Sequence, residues 1–283
     1  MLTDELLTVG TLLRKFFPKI GLTWALTLCE TVLMALVPLL IGMAIDGLLN
    51  NDPAALLNLA VVLAALILIS VIRRVYDTRV YGTIRVSLGG ELVERSGDSP
   101  VSTTNARLDM GRELVDFLEE QVPALMNSAV QLVISVIILY SFHPTLSYAA
   151  LGAGVVIIVL YGLFHRRFFR LNADLNHQTE QQVGVLEAKS SGGVLAHLTK
   201  LRQFEVRISD TEAGVYGAIF TILLGFIIFN LWFAAGNVVT TVGTIFAIVS
   251  YSWEFADSAL ILPTTLQGWS RLSEIMERIN QRD

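Results

Sequence analysis

The stretch that decides the fold runs from Ala54 to Glu94 and reads AALLNLAVVLAALILISVIRRVYDTRVYGTIRVSLGGELVE. It is solidly apolar as far as Ile72, close to the roughly 20 residues that a helix needs to cross a bilayer. A helical pattern then continues past Arg73 and Arg74. The sequence therefore predicts one helix that crosses a membrane and projects about 25 to 30 Å beyond it, at about 1.5 Å per residue.

The basic residues of the chain follow the same division. All 20 Lys and Arg residues fall in four segments, 14–19, 73–112, 166–207 and 271–282. The connections near 50–53, 143–144 and 236–241 contain none. Because basic residues near the ends of spans are retained in the cytoplasm, this bias predicts six transmembrane helices with both termini cytoplasmic. We expect a multi-pass protein of the cell inner membrane.

The composition fits a lipid-embedded protein and excludes several other classes. The 283 residues are 53% apolar and 16% charged, whereas soluble domains are about 25% charged. A net charge of −5 argues against a nucleic-acid surface, which needs a basic face. Cys29 is the single cysteine, so no disulfide forms within the chain. Catalytic triads, metal-ligand spacings and cofactor motifs are not evident, and we expect neither an enzyme nor a cofactor.

The apolar pattern divides the chain into three parts. Residues 1–19 are predicted to form an amphipathic interfacial helix that ends at Pro18. Residues 20–270 form the transmembrane domain, and 271–283 a short cytoplasmic tail. Spans are expected near 20–49, 54–72, 123–142, 145–164, 214–234 and 242–266.

The polar extensions of spans two to five predict two long cytoplasmic helical hairpins. Their tips lie in the turn-forming segments 96–105 and 190–193. An isolated hairpin of this length cannot bury its polar helices alone. We therefore expect a second copy of the chain to pack against them.

Three segments resemble the transmembrane half of a type I ABC exporter. VPLLIGMAIDG at 37–47 resembles the end of the first exporter helix, and Arg107-Leu108-Asp109 resembles the approach to the third. SRLSEIM at 270–276 resembles the stretch where exporters cross into their ATPase domain. The whole layout is most similar to a short family of six-helix, ABC-transporter-like membrane proteins without an attached ATPase.

The resemblance implies a homodimer, or a pseudosymmetric heterodimer, of the exporter type. Helices four and five would cross over to the other subunit, and a cavity would lie on the dimer axis. No G-x-x-x-x-G-K-[ST] phosphate-binding motif occurs in the sequence, so we expect no nucleotide-binding domain within it. The hairpin tips are rich in Ser, Thr and Gly, which weakens the case for a separate ATPase subunit as partner without excluding it.

Three acids at membrane depth are the candidate ion- or proton-coupling residues. They are Glu30 in span one and Glu254 and Asp257, one turn apart, in span six. Ionisable groups at this depth are costly and usually face protein or water. A desolvated carboxyl group can exchange protons near neutral pH or attract a cation. The structural alternative is a hydrogen-bonded acid within the bundle, next to Thr27, Thr31 or Ser258.

Trp253, Tyr251 and Asn230 are the candidate residues of a substrate cavity. An aromatic wall suits an amphipathic or cationic substrate. Packing and inter-helix hydrogen bonding are the alternatives for them. Outside the spans, an acidic group predicts a solvated or inter-hairpin face that pairs with Arg166, Arg167 or Arg202, with a divalent-cation site as the alternative; its members are Glu113, Asp116, Glu119 and Glu120.

Three functions are compatible with the sequence. The first is the membrane subunit of an ABC-type exporter that works without its own ATPase. The second is an ATP-independent transporter or channel on the same fold, coupled to protons or cations. The third is a membrane scaffold that transports nothing. Ionisable residues within the spans favour the first two over the third.

Overall fold

The described part of the chain is helical throughout. The computed structural model describes residues 9–97, 100–238 and 241–280, with side chains omitted for 9–12 and 262–280. Within these ranges the regular elements are α-helices and one π-helical turn, with no strand. The predicted all-α class is therefore confirmed.

Eight helices follow one another in the described ranges, separated by short turns. They are α1 (Val9–Leu49), α2 (Ala54–Ser96), α3 (Val101–Asp116), α4 (Val122–Phe142), α5 (Pro144–Glu180), α6 (Gln182–Glu187), α7 (Ser191–Asn237) and α8 (Val242–Asn280). A π-helical turn, Phe117–Gln121, joins α3 to α4 without interrupting the rod.

Five helical stretches of the described residues are long and apolar enough to cross a membrane. They are Leu13–Leu49, Ala54–Ser96, Val101–Phe142, Pro144–Glu187 and Ser191–Asn237. The predicted sixth span lies in α8, which is 39 residues long and whose side chains are described as far as Ile261; it is not among these five. The chain is thus a multi-pass helical protein with five to six long apolar helices.

The predicted helix break at Pro18 is wrong. Residues 1–8 of the predicted interfacial helix lie outside the described residues, but from Val9 one helix runs through both Pro18 and Pro38 to Leu49. Ile20, two residues after Pro18, is fully buried in the core, and that packing favours a continuous helix. At the other end, the backbone of α8 stays helical to Asn280 through most of the predicted tail.

The chain divides into two compact units. The first contains residues 1–143 and 234–283, and the second is Pro144–Phe233. In the first unit α1 packs against α2, α4 and α8, and α4 packs against α8. In the second unit Gln178 on α5 and His197 on α7 are both buried, with 2.8 Å between Gln178 Nε2 and His197 Nδ1.

The polar extension of α2 has an apolar core of its own. Val80, Ile84, Leu88 and Leu92 recur every four residues and therefore lie on one face of the helix. They pack with Ile20 and with the buried side chains of the following helix and π turn, Leu114, Val115, Phe117 and Leu118. Gly111 allows the close approach, since a Cβ there would lie 2.5 Å from Leu92 Cδ1. The polar extension of α2 thus packs on α3 of the same chain. The predicted cover for this surface was a second copy of the chain.

The carboxyl-terminal part of α1 and the start of α8 meet backbone to backbone. A Cβ on Gly42 would lie 2.5 Å from the carbonyl oxygen of Gly243, and a Cβ on Gly243 would overlap that of Gly42. Asp46 closes the joint: the Gly243 amide donates to its Oδ1 at 2.8 Å, and the Thr241 hydroxyl donates to its Oδ2. About two turns from this joint, the Tyr251 hydroxyl of α8 donates to the Ala35 carbonyl of α1 at 2.6 Å.

Gly243→Ala should destabilise the protein, because the added methyl group meets the Gly42 backbone and the helices must separate. Overpacking of this kind costs about 1–3 kcal/mol. Thermal unfolding in detergent measures it, with Gly152→Ala as the matched control, since a Cβ at Gly152 meets nothing within 4 Å. Equal stability of the two variants would show that the close crossing is absent.

Tyr81→Phe should weaken the junction between α2 and the π turn. The Tyr81 side chain is fully buried, and its hydroxyl donates to the Leu118 carbonyl at 3.0 Å. Losing the donor leaves a buried carbonyl with one fewer partner, at about 0.5–1.5 kcal/mol. The same thermal assay tests it against Tyr148→Phe, whose side chain is 63% exposed. A cost no larger than that of the control contradicts the assignment.

Candidate functional site

Glu30 is paired with a basic residue on the neighbouring helix. Ser70 Oγ donates to its Oε1 at 2.5 Å, and Arg73 Nε forms an ion pair with its Oε2. Arg73 also bonds through Nη1 to Asp77 Oδ2 at 2.9 Å. Because α1 and α2 are joined by a short turn, Glu30 and Arg73 lie equally far from it and meet side by side. The carboxylate therefore has an internal counter-charge, which removes much of the cost of its depth.

Glu254 lies in a second polar network, between α8 and α4. Its Oε2 accepts a hydrogen bond from Gln131 Nε2 of α4, and the side chain is half-buried. Nearby, the Thr31 hydroxyl of α1 donates to Asn127 Oδ1, one turn before Gln131. Three helices, α1, α4 and α8, thus meet in a polar layer.

Glu254 differs from Glu30 in its charge balance. Among the residues that the structure describes, no Lys, Arg or His forms an ion pair with Glu254 or Asp257. Asp257 lies one turn further along α8 and adds a second negative charge to the same region. Carboxylates so placed either hold a proton or attract a cation from outside the chain.

The three candidate cavity residues are placed differently. Trp253 is 59% exposed on α8, on the face that also carries Asp257. Tyr251 is fully buried and bonded to the α1 backbone, so in this structure its ring packs against α1. Asn230 is fully buried on α7, in the unit Pro144–Phe233.

The acidic group beside the π turn has a different partner from the predicted ones. Arg85 of α2 donates through Nη2 to Asp116 Oδ1 at 2.6 Å and to Glu119 Oε2. The predicted partners Arg166, Arg167 and Arg202 lie in the other compact unit, and that pairing stays a prediction. Asp116 directly precedes the π turn and Glu119 lies within it, and both contact the same guanidinium. Within the described residues no group of three His, Cys, Asp or Glu side chains is placed to hold a metal ion.

The sequence did not predict which side chains contact the acids. Ser70 and Arg73 contact Glu30, Gln131 contacts Glu254, and Thr241 contacts Asp46. The signal for Arg73 was available, because equal distance from the 50–53 turn aligns it with Glu30. For Gln131 and Thr241 the signal was only their polar type within or beside an apolar span. Their partners depend on how non-consecutive helices pack.

Comparison with known families agrees with this helical, lipid-exposed architecture. The model of the ABC transporter transmembrane region matches residues 10–243, which is most of the chain. No curated protein matches the sequence. Given the long apolar helices, the polar layer between α1, α4 and α8, and this match, the chain belongs to the family of ABC transporter transmembrane regions.

Proposed function

We propose that this protein is a dimeric membrane transporter of the exporter type, which moves a substrate across the inner membrane. The family match over residues 10–243 is the observation that carries the proposal. We also propose six spans, with α8 as the sixth, and both termini in the cytoplasm. The separation of all basic residues into four segments supports that orientation. Any ATP hydrolysis would come from outside these 283 residues, since the sequence has no phosphate-binding motif.

In this proposal the long helices beyond the apolar spans form two cytoplasmic hairpins. α2 has 43 residues and α7 has 47, about 65 and 70 Å at 1.5 Å per residue. A bilayer core is about 30 Å thick, so roughly half of each rod extends outside it. The turn segments near 97–100 and 188–190 would mark the hairpin tips.

The dimer is supported by the outer surface of α5. Its exposed apolar side chains recur every three or four residues and form one stripe, made by Tyr148, Leu151, Val155 and Val159. The unit Pro144–Phe233 is compact by itself, as expected for a helix pair that packs on another subunit. We propose that α5 and α7, the fourth and fifth spans, cross over to the second copy.

A second candidate mechanism is proton or cation coupling without ATP. The absence of a basic partner at Glu254 among the described residues favours it, because such a carboxyl group can bind and release a proton as the cavity changes access. Glu30 is the weaker candidate, since Arg73 already balances its charge.

A dimer should be recovered when two differently tagged copies are co-expressed. Purification through both tags in succession should yield one species of about twice the 31.1 kDa chain mass by native mass spectrometry. Mixing separately purified copies after solubilisation controls for exchange in detergent. Recovery of monomers alone, in detergent and in nanodiscs, contradicts the dimer.

Glu254→Gln should abolish gradient-driven proton uptake if the second mechanism operates, because the amide cannot carry a proton. Proteoliposomes with an internal pH dye and an imposed potential measure the rate, and we expect at least a tenfold loss. Glu205→Gln on the exposed surface of α7 is the matched control. Equal rates for wild type and Glu254→Gln, including no uptake by either, reject proton coupling. Substrate flux that requires an added ATPase subunit and ATP instead assigns the energy source to ATP. The third function, a scaffold, predicts no flux under any condition.

A further inference from the structure

One face of α8 is left open along the described part of the helix. Its side chains follow at intervals of three or four residues and therefore share a face: Val242, Phe246, Ser250, Trp253, Asp257 and Ile261. From Val242 to Trp253 the face is mostly apolar and aromatic. Asp257 follows one turn after Trp253. The exposure of this face applies to one copy of the chain.

An ionised Asp257 cannot face lipid at low cost. Carboxylates within a membrane helix are costly and almost always face protein or water. Asp257 lies 15 residues after the start of α8, about 22 Å along the helix, well inside a core of about 30 Å. We therefore place this face against water or against an occupant that carries positive charge.

The chain cannot supply that positive charge from its own spans. No Lys or Arg occurs between Lys19 and Arg73, between Arg112 and Arg166, or between Arg207 and Arg271. A second copy has the same sequence and the same lack. Arg73, at the edge of its apolar segment, already holds Glu30 and Asp77. A positive charge that opposes an ionised Asp257 on the α8 face therefore comes from solution.

The side chains around Asp257 favour an organic cation over a metal ion. Within the described residues no three acidic, His or Cys side chains converge, so a bare metal ion would lack ligands. Trp253 instead presents an exposed indole one turn from the carboxylate, with about 6 Å between Cβ atoms at this spacing. A cation held over an indole is stabilised by about 0.5–2 kcal/mol, with the larger value in a desolvated site.

We propose that Trp253 and Asp257 form a binding site for an organic monocation with an aromatic or alkyl body, and that Glu254 flanks it. The indole face contacts the body of the ligand, and the Asp257 carboxylate opposes its charge. Phe246, two turns before Trp253, extends the apolar wall. The chemistry of the site makes organic monocations the substrate class of the proposed transporter. Binding at the site does not depend on the proposed function; only transport of the bound cation rests on it.

Binding of tetraphenylphosphonium to the purified full-length chain in nanodiscs tests the proposal. Equilibrium dialysis with the radiolabelled cation should show saturable binding. Asp257→Asn and Trp253→Leu should each raise the Kd at least tenfold, because one removes the charge and the other the indole. The matched controls are Asp174→Asn, an exposed acid on α5, and Trp232→Leu, a 70% exposed tryptophan on α7. Thermal unfolding of every variant separates lost binding from lost fold, and Asp257→Glu should retain binding.

Three outcomes overturn the site. One is unchanged affinity in both Asp257→Asn and Trp253→Leu. A second is equal binding of uncharged tetraphenylmethane, which would reduce the interaction to partitioning into the apolar surface. A third is displacement of the phosphonium by millimolar Na⁺ or Ca²⁺ in the wild type, which would assign the carboxylates to a metal ion. Binding that is confirmed while proteoliposomes show no flux retains the site and rejects the transport function; the reverse result retains the function and rejects the site.

Discussion

The close crossing of Gly42 and Gly243 sets the register of the bundle. With no side chain between them, the two backbones touch and fix how α8 lies along α1. Ala35 lies seven residues before Gly42 in α1, and Tyr251 lies eight residues after Gly243 in α8. The Ala35 carbonyl accepts a hydrogen bond from the Tyr251 hydroxyl. Another turn brings Glu254 to the level of Thr31, where Gln131 of α4 meets it. A larger residue at either glycine would displace each of these polar contacts, which do not tolerate misalignment as apolar packing does.

Two half-buried acids of the bundle, Glu30 and Glu254, show how position decides the role of the same chemical group. Glu30 meets Arg73 and Ser70 across the first inter-helix contact, and this ion pair can be carried permanently within the fold. Glu254 meets only an amide among the described side chains, and Asp257 adds charge beside it. Paired charges within a membrane serve packing, whereas unbalanced ones mark the path of an ion or a charged substrate. This difference between the paired Glu30 and the unpaired acids of α8 is the basis for proposing a binding site on α8.

The sequence was sufficient for helix class and for most helix ends, because apolar runs and turn residues are local signals. The end of α4 at Phe142 and the continuation of α2 past Arg73 follow from those signals alone. Pro18 misled the prediction, because a proline in the first turns of a long helix is tolerated when buried neighbours such as Ile20 hold the rod together. The acids were found by their cost in lipid, but Gln131 and Arg85 depend on contacts between distant segments. The open face of α8 likewise became visible only once Tyr251 was seen to point the other way.

The position of Asp46 has a mechanical consequence. Its carboxylate receives the amide of Gly243 at the start of α8, so a side chain of one helix caps the amino end of another. Drawing the two helices apart there would leave that amide and the carboxylate unpaired together, at about 1 kcal/mol for the lost cap alone. The joint thus holds the carboxyl end of α1 to the amino end of α8. Alternating access through a gap between these helices would begin by breaking it.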